Sequence, residues 1–226
     1  MRVLAIDTAL QSCGVALLDG ETVVFCEAPR LEKGHAEVLP PLVSRALDAA
    51  AWRVGDLDRV GVVVGPGGFA GVRVGLAYAR GLGLGTGVDV VGVGSLDALA
   101  ATFAAVAGTY VACIVDARRG DVFSALYEGT APLSPAFAAT PEDAAARLGD
   151  AVEGAPLTLI GGGAALIPSR ARQPSWSFKE GDLQIDPAAL ARLAAAAPAP
   201  DGPPAPVYLR APDARPAAPS RFDGRV

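Results

Sequence analysis

The dipeptide Asp19-Gly20, set between two apolar runs over 13–18 and 21–27, constrains the fold of this chain more than any other feature. Asp-Gly flanked by apolar stretches predicts a two-residue hairpin turn, since such turns need left-handed backbone that glycine adopts freely. An antiparallel pair placed ahead of any helical pattern excludes an all-parallel sheet. A turn at Asp19-Gly20 makes opposed residues sum to 39, pairing Leu18 with Glu21, Val15 with Val24 and Cys13 with Cys26. The two thiols are therefore expected to face each other on a closely spaced pair, Cα atoms about 4.5 Å apart. In a reducing compartment they read as two packed thiols rather than a disulfide.

Around the hairpin, periodicity predicts a strand over 3–6 ending in Asp7, and a helix over 36–52 with Leu39, Leu42, Val43, Ala46 and Leu47 at helical spacing. Pro40-Pro41 should confine regular helix to the residues after it. A strand over 59–64, a glycine-rich turn, a helix to about Leu84, a strand over 88–93 and a helix after Ser95 follow. After Gly108 the pattern restarts with a strand over 110–115, a charged turn over 116–121 and a strand over 122–127. Thr140-Pro141 opens a helix, a short strand over 157–160 runs into Gly161-Gly162-Gly163, and Asp186-Pro187 opens an Ala-rich helix. The expected class is α/β, with mixed sheets carrying helices on their faces. The expected division is an N-terminal lobe over 1–107, a smaller C-terminal lobe over 108–197 and a Pro-rich extended tail over 198–226. That tail should be ordered where Val207-Tyr208-Leu209 finds something to pack on.

The formal net charge is −5, which disfavours a chain that grips nucleic acid by itself. The uncharged run between Asp97 and Asp116 approaches the length of a bilayer span, but Thr102, Gly108 and Thr109 divide it into a helix and a strand. Asp7 falls where a signal peptide would be apolar, so the chain reads as cytosolic and free of any membrane. His35 is the only histidine, which excludes a two-histidine zinc motif; no G-x-S-x-G accompanies it, so hydrolysis by this chain alone is not expected.

Four places remain. Asp7-Thr8 at a strand end is either a ligand-facing carboxylate or a turn former, and the residues support both equally. The Gly65-Pro66-Gly67-Gly68-Phe69-Ala70-Gly71 loop lies where a helix N-terminus can cradle an anion, yet it lacks the Lys-Ser/Thr of a Walker A loop. Gly161-Gly162-Gly163 suits close approach of a nucleotide or simply a tight turn. Finally, Gly71, Gly75, Ala79 and Gly83 recur every four residues, a ridge of minimal side chains that something must approach closely. Small residues specify contact and not its owner, which is either another chain or this chain's own sheet.

The opening V-L-A-I-D-T-A, the hairpin, His35-Ala36-Glu37-x-Leu39-Pro40, the G-P-G-x-F-x-G-x-R-x-G stretch over 65–75, G-S-L-D-A-L-A over 94–100, D-A-R-R-G-D-V-F over 116–123 and P-V-Y-L-R over 206–210 together resemble the TsaB (YeaZ-type) dimerisation subunit family of bacterial tRNA threonylcarbamoyladenosine synthesis. The resemblance implies an actin-like ATPase fold of two RNase H-like lobes. It also implies a non-catalytic subunit that dimerises with a catalytic transferase paralogue (TsaD type), the enzyme that moves threonylcarbamoyl to N6 of the tRNA adenosine 3′ of the anticodon. A small ATPase subunit (TsaE type) joins the pair, tRNA is met only through the complex, and both a homodimer and a monomer are open to the chain when it is alone. No cofactor is expected in this chain, with ATP and metal confined to the partners. Gly68-Phe69-Ala70 stands where the family has Ser-Phe-Thr, and Gly162 replaces an Asp more often seen between the glycines. A nucleotide site would fall on Asp7, Thr8 and Gly162. The family's pairing through its first two helices assigns the ridge to a partner, so the expected interface is Leu39, Leu42, Val43, Gly71, Gly75, Ala79 and Gly83, bordered by Arg73 and Arg80. The competing classes are a stand-alone kinase or ATPase of the same fold and a peptidase.

Overall fold

The computed structural model describes residues 1–103, 107–179 and 184–210. The first lobe opens with β1 (Arg2–Asp7), β2 (Gly14–Asp19) and β3 (Thr22–Glu27). It continues through α1 (His35–Ala50), β4 (Arg59–Gly65), α2 (Phe69–Thr86), β5 (Asp89–Gly94) and α3 (Ser95–Phe103). Its five-stranded sheet has the order β3-β2-β1-β4-β5, antiparallel through the hairpin and parallel from β1 to β5.

The second lobe repeats the plan. β6 (Tyr110–Arg118) and β7 (Asp121–Glu128) form its hairpin, and β8 (Ala131–Pro132) and β9 (Phe137–Ala139) both return antiparallel against β7. α4 (Pro141–Val152) crosses over to β10 (Leu157–Ile160), which is parallel to β6 and to β11 (Trp176–Phe178). Thr140 caps α4 by accepting from the Asp143 amide at 3.2 Å. The whole is an α/β architecture of two lobes, each built on a mixed sheet with helices on its faces. No helix among the described residues is long and apolar enough to cross a membrane.

Three expectations change. The hairpin turns at Gly20-Glu21, where Gly20 has φ 59, and an irregularity opposite Leu17 and Leu18 leaves Val24 outside the register. Cys26 consequently pairs with Ala16, while the Cys13 amide donates to the Pro29 carbonyl at 3.0 Å. The thiols do not face each other: Cys13 is buried, Cys26 is exposed, and both are free. Next, α1 begins at His35 with Pro40 and Pro41 inside it. The prolines leave the carbonyls of Ala36 and Glu37 without helical donors, at two exposed residues where the helix faces solvent.

The third change concerns α5 (Pro187–Ala196), which the sequence groups with the second lobe. It packs on β1, β2 and β4 of the first. Leu190, Ala191 and Ala194 are fully buried there, and a Cβ on Gly61 of β4 would collide with that of Ala194. Alternate residues of a strand face opposite sides, so the first sheet is covered twice, by α1 and α2 beneath Ile6 and Val62 and by α5 over Gly61. Arg59 anchors the end of α5, its Nη1 donating to the carbonyls of Ala194 and Ala197. Residues 211–226 of the expected tail lie outside the described residues.

Candidate functional site

The lobes bound a cleft of about 1950 Å³. One wall is made by the loop after β1, the entry to α1 and the first turns of α2; the other by the β6–β7 turn, Gly161-Gly162 and Phe178-Lys179. Seven Lys or Arg side chains line it against three carboxylates, Glu32, Glu37 and Asp116, so the cleft is cationic on an acidic chain. Most of these cations already have partners. Arg118 pairs with Asp116 at 3.3 Å, Arg172 donates to the Ile167 carbonyl at 2.7 Å and lies over the Phe178 ring, and Arg210 pairs with Asp121. His35 also lines the cleft, and its Nε2 is buried without a hydrogen-bond partner.

β1 delivers Asp7 to the end of the sheet, where a ligand-facing carboxylate belongs, but the side chain is fully buried and does not line the cleft. Its Oδ1 accepts from the Ala9 amide at 2.9 Å and its Oδ2 from Ser12 Oγ at 3.4 Å, closing its own turn. The seal comes from α5: Pro187 packs 2.8 Å from where a Cβ on Gly14 would sit, and Gly14 is Asp7's ladder partner. Burial pushes the carboxyl up to about 7, against the two hydrogen bonds that favour its charged form.

Thr8 and Gly162 do line the cleft, on opposite walls. The Thr8 hydroxyl is nevertheless committed, donating to the Gly71 carbonyl at 2.8 Å. Gly161 and Gly163 are pressed on β6; a Cβ on Gly163 would stand 2.7 Å from the Val115 carbonyl carbon, so this turn is glycine-rich because a strand lies against it. The structure thus places Thr8 and Gly162 on the cleft and Asp7 beneath it, and does not bring the three to one point. Among the described residues no three His, Cys, Asp or Glu side chains converge on a metal position.

The expected interface changes as well. The ridge on α2 belongs to this chain's own sheet: a Cβ on Gly71 would collide with the Thr8 carbonyl, one on Gly75 would lie 2.5 Å from Thr8 Oγ1, and one on Gly83 would lie 2.8 Å from Val90. Ala79 is fully buried between them, and Leu39, Leu42 and Val43 are buried in the core under α1. Arg73 and Arg80 hold the chain's own C-terminal segment, Arg73 Nε donating to Tyr208 Oη at 3.0 Å and Arg80 Nε to the Pro204 carbonyl at 2.9 Å.

At the cleft edge the structure joins Arg73, Phe69 and Tyr208, which the sequence names separately and does not bring together. Arg73 lies 3.6 Å over the Phe69 ring and 5.9 Å from that of Tyr208, and Phe69 and Tyr208 are 60% and 50% exposed. The tail triplet Val207-Tyr208-Leu209 finds its packing partner here, on Phe69 and Arg73 of α2.

The family model for TsaD, tRNA N6-adenosine threonylcarbamoyltransferase, matches residues 28–156. The chain belongs to this family. Within the TsaD family it is similar to an uncharacterised protein of Mycobacterium tuberculosis, 38% identical over 220 residues, covering 96% of this chain and 95% of the relative. It is similar to the tRNA threonylcarbamoyladenosine biosynthesis protein TsaB of Escherichia coli, 37% identical over 131 residues, which cover 57% of this chain and 55% of TsaB. Among solved structures, an uncharacterised Pseudomonas aeruginosa protein with similarity to peptidase YEAZ superposes with a TM-score of 0.77 at 26% identity, covering 92% of this chain and 99% of that one. These matches bear out the resemblance to TsaB read from the motifs.

Proposed function

We propose that the chain is the partner subunit of the complex that installs threonylcarbamoyl on N6 of the tRNA adenosine 3′ of the anticodon, and that it works by pairing with the catalytic TsaD-type transferase while performing no chemistry itself. The observation that carries the non-catalytic reading is the position of Asp7. The carboxylate best placed by topology to meet a metal nucleotide is sealed under α5 and spent on its own turn. A kinase of this architecture needs several carboxylates converging on Mg²⁺. The other acid at the cleft's hairpin, Asp116, is engaged by the Arg118 amide at 2.7 Å and by the Arg118 guanidinium.

The pairing surface is the outer face of α2. With the ridge turned inward, Ala70, Ala77, Gly81, Leu84 and Gly85 look outward, all exposed and uncharged, and Leu84 is 90% exposed. An uncharged helical stripe with small residues along it suits close packing against another helix. The same face serves a second copy of the chain when the transferase is absent. A small ATPase subunit joins the pair, and tRNA reaches this chain through the assembled complex.

The test is to mix the purified chain with the TsaD-type protein of the same source and follow the pair by gel filtration. Ala77→Glu and Leu84→Glu, both on the exposed face, should abolish co-elution and tRNA modification while leaving thermal unfolding unchanged. Full pairing by both variants would refute the surface. Steady ATP or peptide turnover by the isolated chain, lost in an Asp116→Asn variant, would refute the non-catalytic role and favour a kinase or peptidase.

A further inference from the structure

The C-terminal segment leaves the end of α5, runs along the first lobe and ends on the second. Pro204 packs at β5, its Cβ 3.0 Å from where one on Gly92 would sit, and its carbonyl accepts from Arg80 of α2. The Val207 amide donates to the Val64 carbonyl of β4 at 2.8 Å. Tyr208 receives Arg73 and lies 5.9 Å from the Phe69 ring. Two residues later Arg210 leaves the first lobe: its guanidinium pairs with Asp121 and donates to the carbonyls of Ala117 and Arg118, at 3.4 Å each.

The place where Arg210 lands is unusual. Arg118 and Arg119 have φ of 63 and 57, a left-handed conformation that side chains disfavour and that persists where surrounding contacts over-determine it. Arg210 supplies such contacts from outside the hairpin. The lobes are tied a second time on the far side, where Tyr127 of β7 donates to Asp97 of α3 at 2.8 Å, and neither of those residues lines the cleft. Val207 to Arg210 do line it. Behind the cleft the lobes also share core packing, Cys113, Ala125 and Tyr127 lying in one cluster with Leu96 and Leu99 of α3, so the C-terminal segment is the tie across the opening.

We infer that residues 204–210 form a strap that clamps the β6–β7 hairpin to α2 and β4 and so sets the width of the cleft, with Arg210 as the positioning residue for the hairpin. The Arg210–Asp121 pair is about one-third exposed, and ion pairs of that kind contribute little to global stability, so the latch opens without unfolding either lobe. The strap rests on contacts within this chain and holds whatever partner α2 meets.

Two variants cut the latch from opposite sides, Arg210→Ala and Asp121→Asn. Spin labels on Ala49→Cys of α1 and Asp150→Cys of α4, both exposed positions, in a Cys26→Ser background, report the distance between lobes. Both variants should broaden that distribution toward longer distances and speed amide exchange over 118–121 at least about tenfold, with β1 amides unchanged. The charge-swapped double variant, Arg210→Asp with Asp121→Arg, recovers the ion pair but no donor for the Ala117 and Arg118 carbonyls, and should narrow the distribution part of the way back. Coincidence of either single variant with the parent distribution would overturn the strap, as would an equal rise of exchange in β1, which marks general loosening instead.

Discussion

The hydroxyl of Thr8 donates to the carbonyl of Gly71 at 2.8 Å, fastening the end of the first strand to the first turn of the helix that follows the glycine-rich loop. The bond commits the Thr8 hydroxyl to the chain's own backbone, and so close an approach is possible because position 71 carries no Cβ.

A methyl group at that position therefore has nowhere to go. Gly71→Ala should destabilise the chain by about 1–3 kcal/mol, since the neighbour it meets is backbone and cannot rotate away. Gly75→Leu, which drives into Thr8 Oγ1 and Val62, should leave little folded protein. Urea midpoints check the first and circular dichroism the second; a native midpoint for Gly71→Ala would contradict the tight contact.

Asp7 makes stability fall as pH rises. Its native pKa is raised to about 7 from 3.8, so folded chains keep the proton where unfolded chains have released it. The contribution is complete below about pH 4, declines between there and pH 7, and stays flat above. Asp7→Asn removes the titration and preserves the acceptor for the Ala9 amide. The variant should gain stability relative to wild type between pH 5 and pH 8, by an amount on the order of a few kcal/mol. Denaturant unfolding across that range decides; a constant difference would sink the assignment.

Arg59 holds the end of α5 on the first sheet through the carbonyl of Ala194 and that of Ala197 just past the helix. Arg59→Met keeps the aliphatic stem and removes the donors, leaving part-buried acceptors unsatisfied, and should cost about 1–3 kcal/mol in urea unfolding.

Of the three thiols, Cys26 alone is exposed. Burial and the Asp186 carboxylate raise its pKa, so alkylation of native protein should add one adduct, slowly at neutral pH and faster at pH 9. Unfolded protein should take three adducts, and a species lacking two after unfolding would reveal a disulfide.

Isolated chain should bind tRNA at about 10⁻⁴ M or weaker at physiological salt, because the cleft's arginines are engaged with Asp116, Asp121 and backbone carbonyls. Micromolar binding in filter retention at that salt would contradict this.

The doubled plan is legible in the sequence because each lobe opens with an apolar hairpin, and each crossover helix carries its apolar residues at helical spacing. Thr140-Pro141 and Asp186-Pro187 mark two helix starts for a chemical reason, an acceptor side chain ahead of a residue that lacks an amide proton. What is hidden depends on residues distant in the chain. The turn shifts by one residue and Val24 bulges out, which separates Cys13 from Cys26 although the Asp-Gly signal is sound. The small-residue ridge is correctly read as a close contact, but its owner is Thr8 and β5 rather than a partner. Asp7 reads equally as ligand or turn former until Pro187 arrives from the far end of the chain to seal it.

The return of α5 makes the second lobe an insertion within the first, and this bears on how the chain is born. The sheet face formed by Ala5, Ala16 and Gly61 has no cover until residues near Ala196 leave the ribosome, roughly 90 residues after α3 is complete. At about 5–20 residues per second, the nascent first lobe exposes that apolar face for about 5–20 s. A fragment ending at residue 103 is for the same reason a chaperone substrate rather than a domain.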